Sequence, residues 1–184
     1  MNNSKSPIVI AIAAVSGGGK TTVTKLLNEK LVNSKTLFFD DYDFDGPDDM
    51  HKWVEDGADY NEWDLFPFIM DLKTLLSEPL EYIVLDFPFA YKHSQTSRLI
   101  DYAVFIDTPL DIALARRIIR DYQNSLMKDV LFDTEIYLDR GRSAYLEMLK
   151  TIKPNSDIVV DGTLQVSEIV STIYEKIKGK NNKR

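Results

Sequence analysis

The sequence predicts an α/β fold with a five-stranded parallel sheet between layers of helices, and three features support this prediction. Short apolar runs alternate with longer stretches of helical periodicity, as in repeated strand–helix–strand units. The apolar runs are nearly continuous, which is typical of parallel strands buried on both faces. A glycine-rich turn joins the first apolar run to the first helical stretch, as at the edge of many such sheets.

The elements follow from these patterns in chain order. Each predicted strand is an apolar run rich in branched or aromatic residues: Ile8–Ala14, Thr36–Asp40, Tyr82–Asp86, Ala103–Asp107 and Asp157–Val160. Each predicted helix has apolar residues three or four positions apart: Lys20–Val32, Leu65–Leu76, Pro109–Gln123, Glu135–Ile152 and Val166–Ile177. No repeat or linker interrupts the 184 residues, so we expect a single domain over 1–184. The basic end, 178–184, is expected to be a solvated tail.

Composition excludes several classes of function. The formal net charge is -7, which argues against a phosphate backbone, and hence nucleic acid, as the main partner. The chain has no cysteine and only two histidines, so disulfides, thiolate catalysis and Cys- or His-rich metal centres are excluded. The apolar run Ile8–Val15 is too short to span a bilayer. We therefore expect a cytoplasmic protein without a membrane partner.

The glycine-rich turn predicts a phosphate-binding loop. It lies between a predicted strand and a predicted helix, which is the context that a P-loop requires. Glycines allow backbone N–H groups to face phosphate oxygens, Lys20 would reach the β- and γ-phosphates, and the Thr21 hydroxyl would bind Mg²⁺. Ala14 stands where the motif usually begins with glycine, and a plain flexible turn is the alternative. The residues predicted to bind ATP are Ser16, Gly17, Gly18, Gly19, Lys20, Thr21 and Thr22.

Two predicted strands end in carboxylates. Asp40 ends the second strand and Asp86 ends the third. Ligands of parallel α/β sheets collect at the carboxyl ends of the strands, so both side chains are expected at the site. Asp86 is a candidate metal ligand, directly or through water, as in a Walker B strand. The alternative for each is a structural acid at a strand exit.

The acidic loop after Asp40 resembles a calcium loop only superficially. Asp41, Asp43, Asp45 and Gly46 match the opening of an EF-hand. The twelfth position, which must supply a bidentate glutamate, is Lys52. The sequence therefore does not predict calcium binding.

Three arginines follow the fourth predicted strand on one helix. Arg116 and Arg120 lie one turn apart, and Arg117 is beside them. Guanidinium groups in this position would neutralise charge on a phosphoryl group during transfer. The alternative is a solvated basic face paired with nearby aspartates.

Taken together, the glycine loop, the strand-end Asp40 and the arginine helix resemble the uridine kinases and nicotinamide riboside kinases over roughly 8–177. The resemblance implies the three-layer P-loop fold with strand order 2-3-1-4-5, a lid at about 116–142, and Asp40 as the base at the acceptor hydroxyl and a further metal ligand. It also implies that Asp64 holds ribose hydroxyls and that Trp63 forms a wall of the pocket; the alternative is Asp64 as a helix N-cap and Trp63 as a core residue. The remaining residues expected to contact the acceptor are Tyr42 and Tyr91, and the alternative for the aromatic segment 87–91 is that it simply packs.

The reaction implied by this resemblance is transfer of the γ-phosphoryl group of Mg-ATP to a hydroxyl of a nucleoside or riboside. Asp86 is a mild departure, because the family commonly has glutamate there. Two alternatives remain open. One is a kinase for a sugar, pantothenate or a phosphosugar, and the other is a nucleotide-dependent switch without efficient transfer.

Overall fold

The protein, described by a computed structural model over residues 6–181, is built on a five-stranded parallel sheet. The strands are β1 (Ile8–Ala13), β2 (Ser34–Phe38), β3 (Tyr82–Asp86), β4 (Tyr102–Asp107) and β5 (Ile158–Asp161). Their spatial order is β2-β3-β1-β4-β5, so the expected order is confirmed. Both Ile12 of β1 and Phe38 of β2 pair with Asp86, which sets the carboxyl ends of three strands side by side.

Eight α-helices within residues 6–181 connect or cover the strands. They are α1 (Lys20–Lys30), α2 (Met50–Glu55), α3 (Phe66–Leu76), α4 (Ser94–Ser97), α5 (Leu110–Asp121), α6 (Met127–Ile136), α7 (Arg142–Thr151) and α8 (Val166–Asn181). Within the described residues, no helix has both the length and the apolar character needed to cross a bilayer. The predicted basic tail at 178–184 falls partly in α8, and its residues 182–184 lie outside the described part of the chain.

The two faces of the sheet pack against different sets of helices because alternate strand residues point to opposite sides. Val9 and Ala11 of β1 face a cluster that includes Phe68 of α3. Ile10 and Ile12 face a second cluster that includes helices α1 and α8. We call these the α3 face and the α1 face. The sheet is thereby buried on both sides, as the apolar runs predicted.

Several predicted boundaries differ from the structure by a few residues, and two of the differences bear on the site. The second strand ends at Phe38, and Asp40 lies in a 3₁₀ turn, Phe39–Asp41, one step beyond it. The predicted helix Glu135–Ile152 is interrupted, because a π-helical turn, Tyr137–Gly141, separates α6 from α7. Each extra residue in a π turn rotates the following helix relative to the preceding one.

Candidate active site

The glycine-rich loop leads from β1 into α1, which begins at Lys20. Gly17 and Gly19 have φ angles of 79° and 96°, in the left-handed region where a Cβ is strained. The Gly18 N–H donates to the Val15 carbonyl at 2.8 Å and closes the turn. The N-terminal amides of α1 lack intrahelical partners, and they lie at the cavity beside the loop, where an anion would be stabilised.

Neighbouring elements fix the loop tightly. The Thr108 hydroxyl, just after β4, donates to the Gly18 carbonyl at 3.0 Å. A Cβ on Gly17 would overlap the Ala113 carbonyl oxygen of α5, so only glycine fits there without movement. A Cβ on Gly18 would stand 2.9 Å from the Ala14 methyl group. The buried methyl group of Ala14 therefore fits beneath the loop because Gly18, which has no side chain, lets the loop backbone pass close to it.

A cavity of about 530 Å³ opens beside this loop. It brings together most of the residues that the sequence predicted for ATP binding and catalysis. Those lining it are Ser16, Gly17, Gly19, Lys20, Thr21, Thr22, Asp40, Arg116 and Arg120.

Lys20 and Asp86 form an ion pair at the base of the cavity. The Lys20 ammonium contacts a carboxylate oxygen of Asp86, whose side chain is 1% exposed. Burial lowers the pKa of Lys20 to about 8, although nearby Asp40 opposes this shift and Arg120 adds to it. Asp86 thus holds the Lys20 ammonium in place, but its contact does not fully offset the cost of burying the positive charge. A bound phosphate would therefore favour the charged form of Lys20.

Asp40 lies at the junction of two cavities. It lines the large cavity and also a smaller one of about 210 Å³, together with Thr21, Asp41 and Asp86. Across residues 6–181, no group of three or more His, Asp or Glu side chains is arranged as a closed metal cage. Mg²⁺ in phosphotransfer sites takes one or two carboxylates and completes its shell with water and phosphate. The hydroxyl and carboxylate oxygens at this junction fit such an open site.

Two of the three arginines line the cavity. Arg116 donates to the Gly162 carbonyl at 3.2 Å, which links α5 to the loop after β5. Arg120 forms a fork with Asp121 at 2.6 and 2.9 Å. This pairing is the main cause of the raised pKa of Arg120, and Asp40 contributes to the same shift. Arg120 therefore stays charged beside Asp40.

Arg117 is engaged elsewhere. Its guanidinium donates to the Asp133 carboxylate of α6 at 2.6 Å and lies 5.7 Å from the centre of the Tyr137 ring. Both side chains of the ion pair are largely buried, at 16% and 20% exposure. In this conformation Arg117 ties α5 to α6 and lies outside the lining of the cavity.

The predicted Trp63-Asp64 pair has structural partners. Asp64 accepts from the Phe66 N–H at 3.0 Å, which supports the first turn of α3. The Trp63 ring packs against Phe89 at 5.3 Å and Phe39 at 6.0 Å. Neither side chain lines the 530 Å³ cavity, although Trp63 supports Phe39, which does.

The two predicted tyrosines are also held by hydrogen bonds. The Tyr42 hydroxyl donates to Asp71 at 2.7 Å, and burial together with this bond raises the pKa of Tyr42. The Tyr91 hydroxyl donates to Asp157 at 2.5 Å, next to the amino ends of β4 and β5. Tyr91 is therefore at the opposite edge of the sheet from the glycine loop, and the structure does not bring it to the site.

Sequence reasoning missed part of the cavity wall. Phe39, Tyr145 and Met148 line the cavity without having been predicted, and Pro88, from a segment expected either to line the acceptor pocket or simply to pack, lines it as well. Phe39 and Pro88 directly follow residues near the ends of β2 and β3, so their proximity to predicted acids was an available signal. Tyr145 and Met148 had no such signal, because they lie in the middle of a helix, far along the chain from the predicted strand ends.

A further cavity of about 220 Å³ adjoins the loop on the α1 face. Gly18 lines it, and Gly19, Thr22 and Arg116 line both this cavity and the large one. Gly162 and Leu164, after β5, also line it. This mixture of apolar and backbone surface next to a phosphate loop suits the base of a nucleotide.

Solved structures with similar folds are kinases or share their architecture. The deoxyadenosine kinase of M. mycoides, with products dCMP and dCDP bound, is 15% identical, with a TM-score of 0.51 over 94% of this chain and 99% of that one. Shikimate kinase of Bacteroides thetaiotaomicron is 15% identical, with a TM-score of 0.56 over 93% and 98%. TT1252 of Thermus thermophilus is 16% identical, with a TM-score of 0.59 over 96% and 98%.

Curated relatives extend the similarity to sequence. Uridine kinase of Anoxybacillus flavithermus is 27% identical over 85% of this chain and 86% of its own length. Uridine kinase of Bacillus subtilis is 25% identical over 95% of both chains. No family model matches the chain. The expected resemblance is confirmed: the chain has the fold of the P-loop kinases, resembles the uridine kinases over most of its length, and is a small-molecule kinase.

Proposed function

We propose that the protein transfers the γ-phosphoryl group of Mg-ATP to a hydroxyl group of a nucleoside or riboside. One observation carries the proposal. A single cavity contains the phosphate loop, the Asp40 carboxylate and the guanidinium groups of Arg116 and Arg120. A donor site, an acceptor base and charge-neutralising groups are thus within reach of one another, as phosphoryl transfer requires.

The donor half of the cavity is built to hold a polyphosphate. Backbone N–H groups of the glycine loop and the first turn of α1 would bind its oxygens. Lys20 would contact the β- and γ-phosphates, and the Asp86 carboxylate orients its ammonium. The 220 Å³ cavity next to the loop would receive the base.

Mg²⁺ fits the junction beside the loop, where Thr21 and Asp40 would hold it with Asp86 adjacent. When bound, the ion supplies neutralisation of phosphate charge. The protein residues themselves provide orientation: the α1 N-terminus fixes the hydroxyl of Thr21, and the turn Phe39–Asp41 fixes Asp40.

Asp40 would serve the acceptor. Its carboxylate would accept a hydrogen bond from the attacking hydroxyl and take its proton as the new oxygen–phosphorus bond forms. The bond from the γ-phosphorus to the bridging oxygen breaks, and ADP leaves. Arg116 and Arg120 would stabilise the charge that develops on the transferred group. The segment 116–142, which contains α6, would close over the site as a lid.

The acceptor class is supported by the curated relatives, which are named uridine kinases at 24–27% identity. The test is ADP release from Mg-ATP in the presence of uridine, cytidine, nicotinamide riboside, pantothenate and several sugars. Stimulation by a nucleoside or riboside is the expected result. Stimulation by a sugar or pantothenate alone would contradict the acceptor class and leave the donor chemistry intact.

A matched pair of variants controls for contaminating kinases. Lys20→Met should abolish the stimulated rate, because Lys20 lines the cavity. Lys30→Met removes an equal charge from the other end of α1, where Lys30 bonds to Ser171, and should leave the rate unchanged. ATP binding without stimulation by any acceptor would favour a nucleotide-dependent switch over a kinase.

A further inference from the structure

We propose that Tyr145 and Met148 of α7 form one wall of the acceptor subsite and determine which acceptors the protein selects. This inference rests on the proposed function and specifies it further. Both side chains line the same cavity as Asp40, the proposed base. They are three positions apart, so they share one face of α7.

The position of α7 follows from the π turn that precedes it. Tyr137–Gly141 forms the turn, and α7 begins at Arg142. Tyr137 is buried and its ring lies 5.7 Å from that of Tyr145, so the turn packs against the first part of α7. The Tyr145–Met148 face of α7 thus lies both next to this turn and at the cavity.

Two residues outside α7 complete this part of the lining. Phe39 and Pro88 line the cavity as well. Phe39 and Met148 both pack against the core cluster of the α3 face, which places them on the side of the sheet away from α1. The phosphate loop leads into α1, so these residues form the acceptor end of the cavity rather than the donor end. The acceptor would therefore lie among the thioether of Met148, the rings of Tyr145 and Phe39, and Pro88.

The chemistry of these walls selects one class of acceptor. Aromatic and thioether groups pack favourably against the faces of planar rings. Tyr145 also lies near Arg120. The pKa of Arg120 is raised mainly by Asp121, and Tyr145 makes a smaller contribution to the same shift. Because Tyr145 lines the cavity, its hydroxyl would be available to a polar atom at the edge of a bound ring. The geometry favours an acceptor that has a planar heterocycle attached to its hydroxyl-bearing part.

The residues first expected to recognise the acceptor have other partners in the structure. Asp64 bonds to the start of α3, and Tyr91 bonds to Asp157 at the far edge of the sheet. Apart from the glycine-rich segment 14–22, Asp40 and the two arginines, the described lining of the large cavity comes instead from Tyr145 and Met148 of α7 and from Phe39 and Pro88. Selectivity in this chain is accordingly assigned to α7.

The test compares Tyr145→Ala and Met148→Ala with Leu146→Ala, which changes an exposed residue of the same helix. Kinetic constants are measured for uridine or nicotinamide riboside, for D-ribose, which lacks the planar heterocycle, and for ATP. We expect the KM for the acceptor with the heterocycle to rise roughly tenfold or more in both wall variants. The KM for ATP and the rate with D-ribose should stay within about twofold of wild type, as in Leu146→Ala.

The outcomes separate the two proposals. If no acceptor stimulates the wild-type protein, the proposed function and this inference both fail. If the wild type responds but the wall variants match Leu146→Ala, the inference alone is refuted. An equal rise in the KM for ATP would also refute it, because it would place α7 at the donor end. If Tyr145→Ala is unstable, Tyr145→Leu removes the aromatic ring with a smaller change in volume and takes its place in the comparison.

Discussion

The contact between the glycine loop and α5 makes Gly17 sensitive to a single added methyl group. Gly17 has a φ of 79°, and a Cβ there would overlap the backbone carbonyl of Ala113. Gly19 has a φ of 96°, but a Cβ there meets no atom within 4 Å. Gly17→Ala and Gly19→Ala therefore share the strain of a left-handed backbone and differ in the collision with α5.

The magnitudes follow from these two effects. A left-handed conformation costs a residue with a Cβ about 1–2 kcal/mol, which applies to both variants. Insertion of a methyl group into a packed contact adds about 1–3 kcal/mol, which applies to Gly17→Ala alone. For a protein of this size each kcal/mol shifts the Tm by about 2–4 °C. We thus expect Gly17→Ala to melt about 2–12 °C below Gly19→Ala.

The assay is thermal unfolding without nucleotide, followed by circular dichroism, so that lost ATP binding does not affect the comparison. Chemical denaturation in urea provides the free energy of unfolding independently. Equal Tm values for the two variants, or a lower Tm for Gly19→Ala, would refute the close packing of the loop on α5. The arginines of α5 would then have no fixed position relative to the loop.

Three other features give measurable effects. Lys20 has a pKa of about 8, and ATP phosphates favour its charged form. The Kd for ATP, measured as a function of pH, should therefore rise above pH 8, and Lys20→Met should lack this dependence. Asp133→Asn, which breaks the largely buried pair with Arg117, should lower the free energy of unfolding in urea by about 1–3 kcal/mol. Leu72→Ala, in the core, should cost about 2–5 kcal/mol, whereas Met70→Ala, on the exposed side of α3, should change it by less than about 0.5 kcal/mol.

The sheet and the donor half of the site could be predicted because their signals are local. A buried parallel strand is an apolar run whatever surrounds it, and a strand, a glycine turn and a helix in succession place Lys20 and Thr21 at one point. Asp86 is the last residue of β3 in the prediction and in the structure. Asp40 lies in a 3₁₀ turn just after β2 instead of in the strand, and this turn keeps it at the predicted edge of the sheet.

The acceptor half of the site was harder to predict from the sequence, because the orientation of its side chains depends on contacts between segments that are distant in the chain. Ala90 has a φ of 47°, and the chain after it carries Tyr91 toward the amino ends of the strands. The π turn before α7 has no pattern distinct from that of an α-helix, so the sequence predicted one continuous helix there. The direction of Tyr145 could not be derived without that turn.

The proposed role of Asp40 is tested most directly by mass detection of the phosphorylated acceptor after incubation with Mg-ATP. Asp40→Asn removes the proposed base, and Asp43→Asn removes an equal charge from the same exposed loop at a position outside the cavity. We predict that Asp40→Asn still binds ATP in the absence of Mg²⁺, because Asp40 also lies at the proposed Mg²⁺ site, but forms product at least roughly a hundredfold more slowly, while Asp43→Asn matches wild type. Product formation at the wild-type rate by Asp40→Asn would contradict the account.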